Sequence, residues 1–150
     1  MFLESEPHGV HNRAQCSAAG QHNNQVTEFG IISVDCDGNL STFSPELLGV
    51  QSPTYGDFCF GNIMTDDLAR MAKNHKFKRV RKDIAAGVRL CAKTCEYYSF
   101  CGGGAPANKY FENGSFASTE TMFCRYTIKL PLDIVLADLE ESLSINCTRS

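Results

Sequence analysis

The run Cys91-Ala-Lys-Thr-Cys95-Glu-Tyr-Tyr-Ser-Phe-Cys101-Gly-Gly-Gly-Ala-Pro-Ala-Asn-Lys109 decides how the rest of this 150-residue chain is read. Three cysteines sit close together, a glycine triplet follows the third, and Cys124 arrives after the pair Asn113-Gly114. Four thiolates gathered from one loop and one returning strand make a tetrahedral sulfur site. That ligand set suits a [4Fe-4S] cluster or a zinc ion. Structural zinc often uses a tight two-residue gap between cysteines, and the gaps here are wider. Wider gaps suit a cube whose irons stand apart from one another. Gly102, Gly103 and Gly104 let backbone approach inorganic sulfide without a Cβ in the way, and their N–H groups are expected to bond to the cluster. Arg89, Lys93, Lys109 and Arg125 lie near the ligands in sequence and offer cations to an anionic cluster. Tyr97, Tyr98 and Phe100 are expected to shield it from solvent. A structural zinc-binding interaction module is the main alternative, and a disulfide-stapled extracellular domain is the third.

Composition separates these readings by compartment. The chain has eight cysteines, 43% hydrophobic and 21% charged residues, and a net charge of -3. It gives no general footprint for nucleic acid or an anionic membrane. No apolar run is long enough to span a bilayer. The start, Met1-Phe2-Leu3-Glu4-Ser5-Glu6-Pro7, is acidic where a signal peptide needs a basic flank and an apolar stretch. The expectation is a cytoplasmic chain, in which clustered cysteines serve as ligands rather than disulfides.

Working outward, residues 1–28 are polar and are expected to be a poorly ordered segment. His8, His11 and Cys16 within it are a weaker candidate metal site. An ordered domain is expected over 29–143, with a tail at 144–150. Period-2 alternation through Ile32, Val34 and Cys36 predicts a strand with Cys36 half-buried, and Asp37-Gly38 a hairpin turn into Asn39–Phe43. Ser44–Gly49 reads as a turn or short helix, and Asp57–Ile63 as a short strand. Thr65 is the expected N-cap of a helix with Leu68, Met71 and Ala72 on its apolar face. Phe77, Val80, Ile84 and Val88 predict a second helix over 76–90, softened at its end by Gly87. Its other face carries Lys76, Lys78, Arg79, Arg81, Lys82 and Arg89, a solvated face or a dock for an acidic peptide. Asn113-Gly114 predicts a second hairpin leading to Cys124. Leu132, Val135, Leu136, Leu139 and Leu143 predict an amphipathic final helix with Pro131 at its start. The fold class is α+β: small hairpins and helices around a cysteine-rich loop.

Cys91-x3-Cys95-x5-Cys101-Gly-Gly-Gly with Cys124 resembles the auxiliary-cluster half of a SPASM domain. That domain is the C-terminal extension of many radical S-adenosylmethionine enzymes that modify peptides. The Asp37-Gly38 hairpin and Gly61-Asn62-Ile63 match its usual lead-in, so the resemblance covers roughly 29–143. Ser41–Gly49, Cys101–Lys109 and Glu112–Arg125 are similar to cyclophane-forming maturases of the glycine-rich-repeat type. Such enzymes crosslink an aromatic side chain of a ribosomal precursor peptide to the β-carbon of a nearby residue. The resemblance implies one [4Fe-4S] cluster on Cys91, Cys95, Cys101 and Cys124, serving electron transfer and substrate positioning. Two further cysteines of a full SPASM domain are replaced by Phe43 and Ala105, as loss of its first auxiliary cluster requires. Cys16, Cys36 and Cys59 are weak candidates for a vestige of that site, and Cys147 has no assigned role. The chain lacks the Cys-x3-Cys-x2-Cys loop and has no room for the barrel that would bind S-adenosylmethionine and its own cluster. On this reading it is a fragment or split subunit, inactive alone, whose partners are the barrel domain and a precursor peptide.

Overall fold

In the computed structural model, which describes residues 22–147, Asp37 and Gly38 make the hairpin turn that their dipeptide predicts. Gly38 has φ +81°, and the Asp35 carboxylate accepts hydrogen bonds from the Asp37 and Asn39 amides at 2.9 and 2.8 Å. The turn joins β1 (Ile32–Val34) to β2 (Asn39–Thr42) in antiparallel register, Val34 opposite Leu40. β3 (Gln51–Ser52) and β4 (Gly56–Asp57) form a separate two-stranded ribbon. β5 (Gly61–Asn62) pairs with β2, giving the sheet order β1-β2-β5. The chain is α+β, and the expected strand over 57–63 is two short ones. His8, His11 and Cys16 lie outside the described residues.

The strand's facing is the reverse of the alternation reading. Ile32 and Val34 are exposed, and so is Cys36, while Ser41 and Thr42 are fully buried. β1 is an edge strand, and the core lies on the other side of β2. There Phe43, Leu47, Tyr55, Phe58 and Phe60 meet Phe77, Val80 and Ile84. Phe43 is 0% exposed and stacks on Phe77 at 5.7 Å. Ser44 caps a 3-10 turn (Pro45–Leu47) with its backbone alone, and its hydroxyl is buried without a hydrogen-bond partner. An unsatisfied buried hydroxyl costs about 1–3 kcal/mol. Ser44→Ala is therefore expected to raise stability by about 1 kcal/mol in urea unfolding; a loss of stability would mean the hydroxyl has a partner after all.

α1 (Leu68–Lys73) begins at Asp67, whose carboxylate accepts from the Arg70 amide at 2.7 Å. Thr65 is not the cap, because the helix begins only at Leu68, with Asp67 in the extended capping position. Met71 is buried while Leu68 is 46% exposed, so the apolar face is narrower than expected. Asn74 ends α1 and caps α2 (His75–Thr94), its side chain accepting from the Lys76 amide at 2.9 Å. α2 buries Phe77, Val80, Ile84, Gly87 and Cys91 on one side. Gly87 does not soften an end: the helix runs through it and carries Cys91 inward.

α3 (Tyr98–Cys101) stops at Gly102, in the left-handed region at φ +61°. α4 (Pro106–Asn113) replaces the predicted second hairpin, with Gly114 as its left-handed cap at φ +69°. The reason is that an Asn-Gly pair supplies positive φ equally well to a tight turn and to a helix C-cap. Pro106 at the first helical position favours the helix. Ala105 is the residue before it, the extended N-cap of α4. Beyond the cap, Phe116 is fully buried and stacks on Tyr110 at 5.1 Å.

No strand returns to Cys124. α5 (Met122–Cys124) opens on Thr121, whose hydroxyl accepts from the Cys124 amide at 3.0 Å. It continues through a π-helical turn (Arg125–Lys129) into α6 (Leu130–Cys147). Pro131 lacks the N–H that an α-helix would give to Thr127, which accounts for looser winding there. The α6 stripe is not packed as an amphipathic reading expects: Val135, Leu136, Leu139 and Leu143 are all exposed.

Candidate metal centre

The four predicted ligands come together from three helical segments rather than from a loop and a strand. Cys91 lies in the last turns of α2, Cys95 is that helix's C-cap, Cys101 ends α3 and Cys124 ends α5. All four line one cavity of about 140 Å³, with Gly103, Gly104 and Lys109 among its other walls. A water molecule's share of liquid is about 30 Å³, so the space exceeds what one ion fills. No group of three or more His, Cys, Asp and Glu among the described residues is placed to hold a single metal ion.

Electrostatics link three of the sulfurs. Burial, and then the nearby Cys101 and Cys95, push the Cys124 thiol above its ordinary value, with Lys129 opposing. Cys91 is the buried one, and the Lys109 ammonium donates to its sulfur at 3.3 Å. Lys109 is itself only 4% exposed. Of the other cations expected here, Arg89 and Lys93 are exposed on α2 away from the cavity, and Arg125 pairs with Glu120 at 2.6 Å. Glu120 also binds Lys129, a cavity residue that the sequence reading did not single out although it lies five residues after Cys124. Hydrogen bonds from Lys129 and then Arg125 hold the Glu120 carboxyl below its ordinary value.

The glycine triplet acts differently from expectation. Gly102, Gly103 and Gly104 all have positive φ, at +61°, +102° and +72°. The Gly102 amide donates to the Tyr98 carbonyl at 2.9 Å and the Gly104 amide to the Cys101 carbonyl at 3.4 Å. Those two N–H groups are thus committed to the chain's own turn. Gly102 lines a different recess. A Cβ on Gly103 would meet Val88 at 3.1 Å, whereas Gly104 is open toward the cavity. The triplet's service to the site is shape: it folds the chain back between Cys101 and α4 and leaves no side chain in the space.

The expected aromatic shield is absent from this wall. Phe100 is 48% exposed and lines a neighbouring recess that shares Cys101, Gly104 and Cys124 with the cysteine cavity. The Tyr97 hydroxyl donates to Asp133, which pushes the phenol up to about 12 and ties α3 to α6. Asn23 was not legible as a site residue. Its side-chain amide donates to the carbonyls of Cys101 and Gly104, at 3.1 and 3.0 Å, clamping both ends of the glycine turn. It belongs to the stretch read as a mobile tail, where no periodicity marks it. Cys36 and Cys59 do not join the cavity; the Cys59 sulfur bonds instead to the Gly61 carbonyl at 3.3 Å.

Comparison with known proteins adds one relative. The chain is 48% identical over 124 residues to an uncharacterized protein of Synechocystis, a match that covers 83% of this chain and 31% of that protein. The chain therefore spans about a third of the length of the curated relative it matches. No protein-family model and no solved structure matches. No helix among the described residues is long and apolar enough to cross a membrane.

Proposed function

We propose that this chain is the auxiliary-cluster module of a radical S-adenosylmethionine peptide maturase, a SPASM-like domain holding one [4Fe-4S] cluster on Cys91, Cys95, Cys101 and Cys124. The observation that carries this reading is the convergence of those four sulfurs on one cavity walled by glycine backbone and a buried ammonium. The donor set is all thiolate, as clusters and structural zinc both require. The volume of the space supports a guest larger than one ion. When bound, the cluster supplies a one-electron acceptor beside the peptide being modified. The chain's own residues would hold it by four sulfurs, set its surroundings with Lys109, and keep the Cys101 turn in shape through Asn23.

The Synechocystis relative extends far beyond the matched region, which leaves length for a barrel domain of the kind this reading needs. S-adenosylmethionine and its own cluster would belong to that domain, which with a ribosomal precursor peptide makes up the partners. Cyclophane crosslinking is the reaction proposed for the whole enzyme, and the chain by itself would be inactive. The basic outer face of α2, where Lys78, Arg81, Lys82 and Arg89 border a shallow recess, is the proposed leader-peptide dock.

Anaerobic purification with iron, sulfide and zinc analysis tests the reading. The expected result is about four irons and four sulfides per chain with broad brown absorbance. One zinc with neither sulfide nor colour would transfer the chain to the structural zinc class, where chelation unfolds it.

A further inference from the structure

Lys109 stands out because nothing acidic among the described residues neutralises it. Its side chain is 4% exposed, and none of the ion pairs among the described residues includes it. Glu120, the carboxylate on the same cavity, is engaged by Arg125 and Lys129. A buried ammonium with no counter-charge is strongly disfavoured, so a buried lysine ordinarily sits against an anion or a metal-bound group. Among the described residues, the hydrogen-bond partner of its ammonium is the Cys91 sulfur at 3.3 Å. The position is enforced from behind: Gly87 lacks a Cβ where one would lie 3.3 Å from the Lys109 nitrogen. α4 holds the other end, with Pro106 and Ala107 buried beside it.

From this geometry we infer that Lys109 is a positioning residue that sets the reduction potential of the centre on Cys91. The inference rests on the cluster reading above. Its ammonium donates to the ligand sulfur, so it stabilises whichever oxidation level carries more negative charge. Adding one electron to a thiolate-bound cluster makes it more negative, and hydrogen bonds to ligand sulfur are among the factors that set its potential. Lys109 thus favours the reduced level. In a domain whose task is to take an electron, this makes it a stronger acceptor.

The test is a redox titration of the protein, with dithionite as electron donor and EPR of the reduced cluster as readout. Lys109→Met should make reduction at least tenfold less favourable, a shift of about 59 mV to more negative potential for one electron. Lys109→Arg, which keeps the charge, should recover most of that shift. An unchanged potential in Lys109→Met, or no recovery in Lys109→Arg, overturns the inference while leaving the cluster reading standing. Should Lys109→Met fail to fold or load, protein labelled with ¹⁵N at the lysine side chains decides. Pulsed EPR of its reduced cluster should show a lysine nitrogen coupling that persists in Lys129→Gln. Absence of that coupling overturns the role of Lys109. Absence of iron from the unsubstituted protein overturns the cluster reading itself.

Discussion

On the cluster proposed above, Cys101→Ala is expected to strip most of the iron from the protein, from about four atoms per chain to a small residue, and with it the visible absorbance. Cys101 ends α3 between the helix and the three left-handed glycines, a turn that the Asn23 side chain ties at both ends. Losing one ligand of a cubane leaves an iron open to solvent and oxidant, and the cluster then decays. The aromatic core around Phe43, Phe58, Phe77 and Phe116 lies apart from that sulfur. Far-UV circular dichroism of the variant should therefore stay close to that of the parent. Iron retained at the parent level in Cys101→Ala would remove that cysteine from the ligand set. Cys36→Ala is the matched control, since Cys36 is exposed in the hairpin and is expected to leave iron unchanged.

Gly87→Ala should cost about 3 kcal/mol of stability, measured as a lower denaturant midpoint. In an exposed helix the same change would gain about 1 kcal/mol, because glycine is the poorer helix former. Here a Cβ would sit 2.2 Å from the Phe116 carbonyl oxygen and 3.0 Å from that of Ser118. Both are backbone atoms of the loop between α4 and α5, so no side chain can swing aside to make room. The loop must move outward, drawing buried Phe116 off Tyr110. It also carries Thr121, the cap of α5, and through it Cys124. Reduced iron loading should accompany the lost stability. A stabilised Gly87→Ala would show that the loop yields freely and that the close approach constrains nothing.

Much of the frame follows from local signals. Asp37-Gly38 requires a left-handed glycine, and the turn is there. The spacing of Phe77, Val80 and Ile84 demands a helix with one buried face, and α2 buries those three. The four cysteines were legible as a set by residue type and spacing. What they could not convey was the carrier of each sulfur, since a cysteine ends a helix as readily as it lines a loop. Asn113-Gly114 misled for a related reason: positive φ is required by a tight hairpin and by a helix cap alike, and Pro106 upstream tips the choice. Asn23 was invisible because its two long-range bonds, to Cys101 and Gly104, leave no periodic trace.

The sequence by itself determined the chemistry on offer: four thiols, three glycines to bend the chain between them, and cations near at hand. Tertiary structure decided which of those groups meet. Arg89 and Lys93 are nearer to Cys91 in sequence than Lys109 is, yet they project from the exposed side of α2. Lys109 reaches the sulfur from α4, with its nitrogen lying beside Gly87 of α2, where a Cβ would stand 3.3 Å from it. Burial then turns an ordinary surface charge into one held against a single partner. That outcome depends on the packing of segments far apart in the chain, which no local pattern encodes.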